Sequence, residues 1–232
     1  MADARIVSVA LLCGAILTGC ATPESQRVAT YVHADLINFP ARRVVVVPFD
    51  GRECPAEART IVTEALSLEL QSALLCDIVP APLADERLVA EAGLWQRGRV
   101  DPEALIEARK TYGADAFLFG TLTRYKPYDP PIIGLKVRML SARTGEVLWA
   151  SEAIFDARRA EVRRAAKETM RNEGPNDWLS GDEMVFMSPR WFSRYAAREV
   201  VTPLSKQVNR GAYRAAAYPD AENGVRPRTA LP

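Results

Sequence analysis

Histidine occurs once in this chain, at His33, and its scarcity excludes more chemistry than any motif present supports. A single imidazole ahead of the first predicted core strand leaves no histidine pair for zinc and no Ser-His-Asp or Cys-His arrangement within the domain. The sequence also lacks a Gly-x-Ser-x-Gly elbow and a phosphate-cradling glycine-rich loop ending in Lys-Ser or Lys-Thr. Charge of one sign is missing too. Thirty Lys and Arg against 29 Asp and Glu give a formal net charge of +1, which provides no electrostatic footprint for nucleic acid. With 48% apolar and 25% charged residues the composition is that of a folded domain rather than a disordered chain. No cofactor and no metal is implied. Paired carboxylates remain as a route to glycan cleavage, and Asp50, Glu53, Asp115 and Asp129 stand on predicted loops or strand ends. Helix caps and solvated turns account for each of them more simply, so the expectation is a protein that is not an enzyme.

An apolar run of bilayer-spanning length is absent as well. Ile6 to Leu17 is apolar but well short of the roughly 20 residues a transmembrane helix needs. Preceded by Arg5 and the amino terminus, with Asp3 weakening that positive end, it has the build of a secretion signal. Leu17-Thr18-Gly19-Cys20 closes the run and resembles the lipobox of bacterial lipoproteins. The resemblance implies that residues 1–19 are removed and that Cys20 carries a diacylglycerol and usually a third acyl chain such as palmitate. At roughly 0.8 kcal/mol per buried methylene, several chains make a permanent anchor where one would not. Ala21, in place of the Asp that retains such proteins at the inner membrane, points to the periplasmic face of the outer membrane.

Cysteine is scarce, at four residues. Cys13 leaves with the signal and Cys20 is acylated. Cys54 and Cys76 flank one predicted helix whose ends lie on the order of 30 Å apart, far beyond disulfide reach. Two unpaired thiols packed as small apolar groups are expected.

From Cys20 the mature chain suits one domain with tails. Residues 20–42 hold Pro23, Pro40 and many small polar side chains, and read as a tether of roughly 25 Å average span. Tyr31, Val32, Leu36, Ile37 and Phe39 are too apolar for a pure linker, so part of it is expected to pack on the domain. The single α/β domain is placed at 43–208 and a disordered tail at 209–232.

Val44-Val45-Val46-Val47-Pro48-Phe49 has the continuous β-branched character of a strand buried on both faces. After Asp50-Gly51, apolar residues from Ala58 to Leu74 recur at helical spacing, and Asp77-Ile78-Val79-Pro80 forms a second strand parallel to the first. Helices follow over about 83–92 and 101–112, the second capped by Asp101 with Pro102 in its first turn; Gly93, Trp95 and Gly98 mark the loop between them. Ala116 to Leu122 is a third buried strand. Ile133 to Met139 and Val147 to Phe155 alternate in polarity, with Arg143-Thr144-Gly145-Glu146 turning between them, as in a hairpin with one wet and one dry face. The fold class is therefore α/β: a two-layer or three-layer sandwich with a mixed sheet, in β-α-β-α-β-β-β-α order, plus a C-terminal amphipathic helix.

The Val-Val-Val-Pro-Phe strand, the Gly113-Ala114-Asp115-Ala116 lead into a strand ending at Gly120, and the hairpin Ala142-Arg143-Thr144-Gly145-Glu146-Val147-Leu148-Trp149 together resemble a group of envelope lipoproteins. That group includes the curli-secretion lipoprotein CsgG, the penicillin-binding-protein activator lipoproteins and the amino-terminal domain of TolB. The resemblance spans roughly Arg43 to Phe155 and implies an α/β sandwich that acts through protein contacts in the periplasm. Two departures matter. No amphipathic strands are to spare for a transmembrane barrel, since Lys136, Arg138 and Glu152 would face lipid. The tether is also short for reaching through the wall to a synthase.

Two surfaces are candidates for partner contact. A helix from an Asp156 cap to about Asn172 carries Arg158, Arg159, Arg163 and Arg164, which could meet anionic headgroups or wall polymer. Its interspersed glutamates favour an ordinary solvated face. Beyond a loop with an exposed-looking Trp178, Ser188-Pro189 starts an amphipathic helix bearing Trp191, Phe192 and Tyr195, with Pro203 ending or kinking it. That aromatic stripe reads first as core and second as a homo-oligomer interface. The function expected is a lipid-anchored, non-enzymatic interaction or assembly module of the cell envelope, held to the membrane through Cys20 and contacting an envelope protein. The alternatives are an accessory regulator of a cell-wall synthase and, remotely, a carboxylate-based wall hydrolase.

Overall fold

A computed structural model describes residues 28–217, apart from 39–40, 52, 75, 83–84, 129 and 174–182. The first half of the chain forms β1 (Ala29–Val32), α1 (Ala34–Asn38), β2 (Arg43–Val46), α2 (Ala56–Leu74), β3 (Asp77–Pro80), α3 (Glu86–Gln96) and α4 (Pro102–Tyr112). The second half forms β4 (Ala116–Lys126), β5 (Ile132–Ser141), β6 (Val147–Asp156), α5 (Ala160–Glu173), α6 (Met184–Met187) and α7 (Pro189–Ala217). The strands make one mixed sheet in the order β1-β6-β5-β4-β2-β3. β2 is parallel to β3 and β4, whereas β4, β5, β6 and β1 run antiparallel in turn.

The four valines 44–47 sit between two parallel neighbours and are at most 1% exposed. Successive side chains of a strand point to opposite faces, so the run feeds two cores. Val44 and Val46 join Leu118, Val137, Trp149 and the apolar faces of α2, α5 and α7. Val45 and Val47 join Phe117, Phe119 and, from α3 and α4, Trp95 and Leu105. Over β2 and β4 the molecule is thus a three-layer sandwich. Towards β6 and β1 the second face carries no helix among the described residues, and a shallow depression of about 300 Å³ opens there over Lys136, Arg138 and Glu152. Local signals place several boundaries. Asp101 accepts from Glu103 N at 3.1 Å as the cap of α4, and Gly113 closes that helix with a positive φ of 60°. Gly145 takes a positive φ of 74° in the β5–β6 turn.

Four expectations are corrected. The tether reading of 20–42 is corrected over 29–32, where β1 pairs with β6, whereas the expectation that part of this segment packs on the domain holds, with α1 burying Leu36 at 1% exposure. Gly93 and Trp95 lie inside α3, not in a loop, because Trp95 is needed against Phe117 and Phe119 and its burial outweighs the glycine's propensity cost. Asp156 ends β6 and holds a turn through Arg158 N at 2.9 Å, so the next helix begins only at Ala160. Pro203 does not stop α7, and the helix continues through 209–217, the start of the stretch that the sequence reads as a disordered tail. The signal segment, Cys20, Phe39, Trp178 and residues 218–232 fall outside the described residues.

Candidate interaction surface

The basic residues of α5 and of the turn before it are largely engaged by carboxylates on and around the helix. Arg158 contacts Asp156 at 2.5 Å, and Arg159 contacts Glu161 at 2.6 Å. Arg163 reaches Glu183 at 2.7 Å and lies 4.1 Å over the Phe186 ring, and Lys167 bonds the same Glu183. The lysine hydrogen bond first, then the arginine charge, hold the Glu183 carboxyl below its usual range. Asp156 is lowered in the same way, chiefly by Arg158. Of the four arginines named as a surface, Arg158, Arg159 and Arg164 are exposed and Arg163 is half-buried. The geometry is that of a helix face laced by short ion pairs, each worth little at such exposure.

The aromatic stripe is core. Phe192 and Tyr195 are 1% and 0% exposed, and Tyr195 packs edge-on to Phe155 with ring centroids 5.6 Å apart. Their candidacy as an interface is corrected: in this chain they join α7 to the sheet. Burial pushes the Tyr195 hydroxyl well above the ordinary tyrosine range. Trp191 alone keeps part of its surface, beside Leu68 and Ile61 in an apolar groove of about 310 Å³ between α2 and α7.

Of the carboxylates considered for catalysis, Asp50 and Asp115 do not converge, and Asp129 lies outside the described residues. Asp50 bridges to Thr121, whereas Asp115 immediately precedes Ala116 at the start of the same strand, roughly 20 Å away at strand spacing. Asp115 Oδ2 accepts from Arg42 N and Arg43 N, both at 3.0 Å, and so joins β4 to the lead into β2. Asp50 Oδ1 accepts from Gly51 N at 2.6 Å. His33 is structural as well, its Nδ1 accepting from Asp35 N at 3.1 Å in the first turn of α1. Cys54 and Cys76 are free thiols as expected, both raised in pKa chiefly by burial.

Folding assembles one feature that no local pattern announces. Arg42, Arg109 and Arg143 come together with Asp35, Asp115 and Ser141 around a cleft of about 220 Å³. Its floor is fixed by hydrogen bonds: Ser141 Oγ accepts from Arg143 N at 3.3 Å and Thr144 N at 3.2 Å, and Ala142 N donates to Asp115 O at 2.9 Å. The three exposed guanidiniums offer planar, multi-donor recognition of carboxylate or phosphate groups. Each comes from a different segment: the lead into β2, the last turn of α4 and the β5–β6 turn. The sequence signal for the cleft is therefore nil.

No family model matches this sequence, and no curated protein is significantly similar to it. Among solved structures, the chain is similar to the PelC dodecamer from Paraburkholderia phytofirmans at 15% identity and a TM-score of 0.45, covering 77% of this chain and 96% of that one. It is similar to lipoprotein GNA1162 from Neisseria meningitidis at 21% identity and a TM-score of 0.35, over 50% and 80% of the two chains. The LpoB C-terminal domain from Salmonella enterica matches at 14% identity and a TM-score of 0.31, over 49% and 82%. At these identities and TM-scores no residue role, partner or function passes from those proteins to this chain.

Proposed function

We propose that this protein is a lipid-anchored, non-enzymatic interaction or assembly module of the bacterial envelope, attached through acylated Cys20 to the periplasmic face of the outer membrane. The observation that carries the reading joins sequence to fold. The lipobox-like Leu17-Thr18-Gly19-Cys20 ends nine residues before Ala29, where the described sheet begins with β1. So short a link holds the domain beside the bilayer, within about 31 Å of the acylated residue even when fully extended. A domain kept at the surface in this way works on neighbours it can touch, and the arginine cleft offers a binding site for carboxylate or phosphate groups that such a neighbour presents.

The test is metabolic labelling with a palmitate analogue in cells carrying the native chain or Cys20→Ser, followed by fractionation of the two membranes. Label on the native chain only, with that chain in the outer-membrane fraction and the variant released, is the expected result. An unlabelled native chain that is soluble after lysis overturns the reading. Crosslinking in intact cells then identifies the partner.

A further inference from the structure

Ala29 pairs with Glu152 and Val32 with Trp149, so β1 runs from the Asp156 end of β6 towards the turn that precedes Val147. The chain before Ala29 is therefore directed to the end of the sheet where β4 finishes and β5 starts. Beyond the Ala29–Glu152 pair the sheet continues to Asp156 and Ile132, about 14 Å further at strand spacing. The nine residues after Cys20 reach about 31 Å when extended and clear this distance easily. To seat the opposite end on the bilayer, the chain would have to reverse at Ala29 and run back beside β1 for more than half that reach.

The end so selected is shaped for a lipid surface. The turn at 127–131 contains Pro127, Pro130 and Pro131, which stiffen it, and it presents Tyr128 at 65% exposure. Arg124 and Lys126 stand exposed beside it, and Ile154 on β6 is 47% exposed on the open face of the sheet. The acids of β6 are already engaged, Asp156 by Arg158 at 2.5 Å and Glu152 by Lys136 at 3.5 Å. Tyrosine favours the headgroup layer, where its ring is shielded and its hydroxyl stays wet; lysine and arginine stems lie along apolar surface while their charges meet phosphate. We infer that this end of the sheet rests on the bilayer, with Tyr128 at headgroup level and Arg124 and Lys126 against lipid phosphates, leaving the arginine cleft facing away from the membrane. The inference rests on acylation of Cys20.

The experiment uses the full chain in intact cells with the photocrosslinker p-benzoylphenylalanine at one of two exposed positions, Tyr128 or Arg143, and reads adduct masses by mass spectrometry together with the mass of the amino-terminal peptide. A phospholipid adduct at position 128, at least ten-fold over position 143, is expected. An acylated amino-terminal peptide with no lipid adduct at 128, or with an equal or greater one at 143, overturns this orientation and leaves the anchor standing. An amino-terminal peptide without acyl chains overturns both.

Discussion

Trp149 Nε1 donates a hydrogen bond to Thr30 Oγ1 across 3.2 Å, joining β6 to a strand 119 residues earlier in the chain. Trp149 is fully buried, so this threonine is the polar partner that lets an indole N–H lie in the core.

Thr30→Val keeps the side-chain shape and removes the acceptor. A buried donor without its partner costs about 1–3 kcal/mol, and the urea midpoint should fall accordingly with an unchanged slope. Amide exchange should quicken first over 29–32. A midpoint shift equivalent to less than about 0.5 kcal/mol, the range of featureless surface changes, would mean that the contact does not secure β1.

Gly120→Ala is expected to be among the most damaging single-methyl additions. A Cβ there would lie 2.7 Å from Phe49 Cζ and 2.9 Å from Lys136 O, and a backbone carbonyl inside a sheet cannot swing aside. Overpacking of this kind costs about 1–3 kcal/mol. Adding Phe49→Leu should recover part of the loss in thermal unfolding, because it relieves the ring contact and leaves the carbonyl contact in place.

Tyr195→Phe should move stability the other way. The Tyr195 hydroxyl has no hydrogen-bond partner among the described residues although it is buried. Deleting an unsatisfied buried hydroxyl is neutral or stabilising by up to about 1 kcal/mol. Phe192→Ala in the same layer should cost about 3–5 kcal/mol. Calorimetry on the two variants separates these outcomes, and a marked loss in Tyr195→Phe would reveal an uncharted partner for the hydroxyl.

The Tyr112–Asp85 hydrogen bond sets a pH dependence with two limbs. It is the first cause that holds Asp85 below its ordinary 3.8, so its stabilisation is present above that value and lost as pH falls through the lowered one. The same bond raises Tyr112 from 10.0 to about 12, so its share is complete below pH 10 and lost as pH climbs towards 12. Tyr112→Phe should lower stability at neutral pH and flatten both limbs. Some acid loss remains, because Leu88 N still donates to Asp85 at 2.9 Å. Unchanged limbs in chemical denaturation across pH would rule the pair out as their source.

Where a feature depends on a few consecutive residues, the sequence already contains it. Val44 to Val47, the Asp101 cap, Gly113 and the turn at Gly145 each stand where local chemistry puts them, and with them come the sheet and both helical layers. β1 was hidden because four residues with alternating partial exposure look like linker until β6 supplies the other half of the ladder. Gly93 and Pro203 mislead for the same reason: local propensity disfavours a helix at both, and packing from Trp95 on one side and from Val200, Val201 and Leu204 on the other overrides it. The candidate surface was legible only in part. The charges of α5 were countable, but their partner Glu183 lies ten residues beyond the end of that helix in sequence, and the cleft of Arg42, Arg109 and Arg143 exists only once segments distant in sequence align.

The direction in which β1 leaves the sheet also decides how the molecule answers mechanical load. Tension applied through residue 28 acts along the strand axis, so the rungs to β6, with the Trp149–Thr30 clasp beside them, are sheared together instead of being unzipped singly. Pulled by its amino-terminal end, the domain would thus resist through the whole β1–β6 ladder at once.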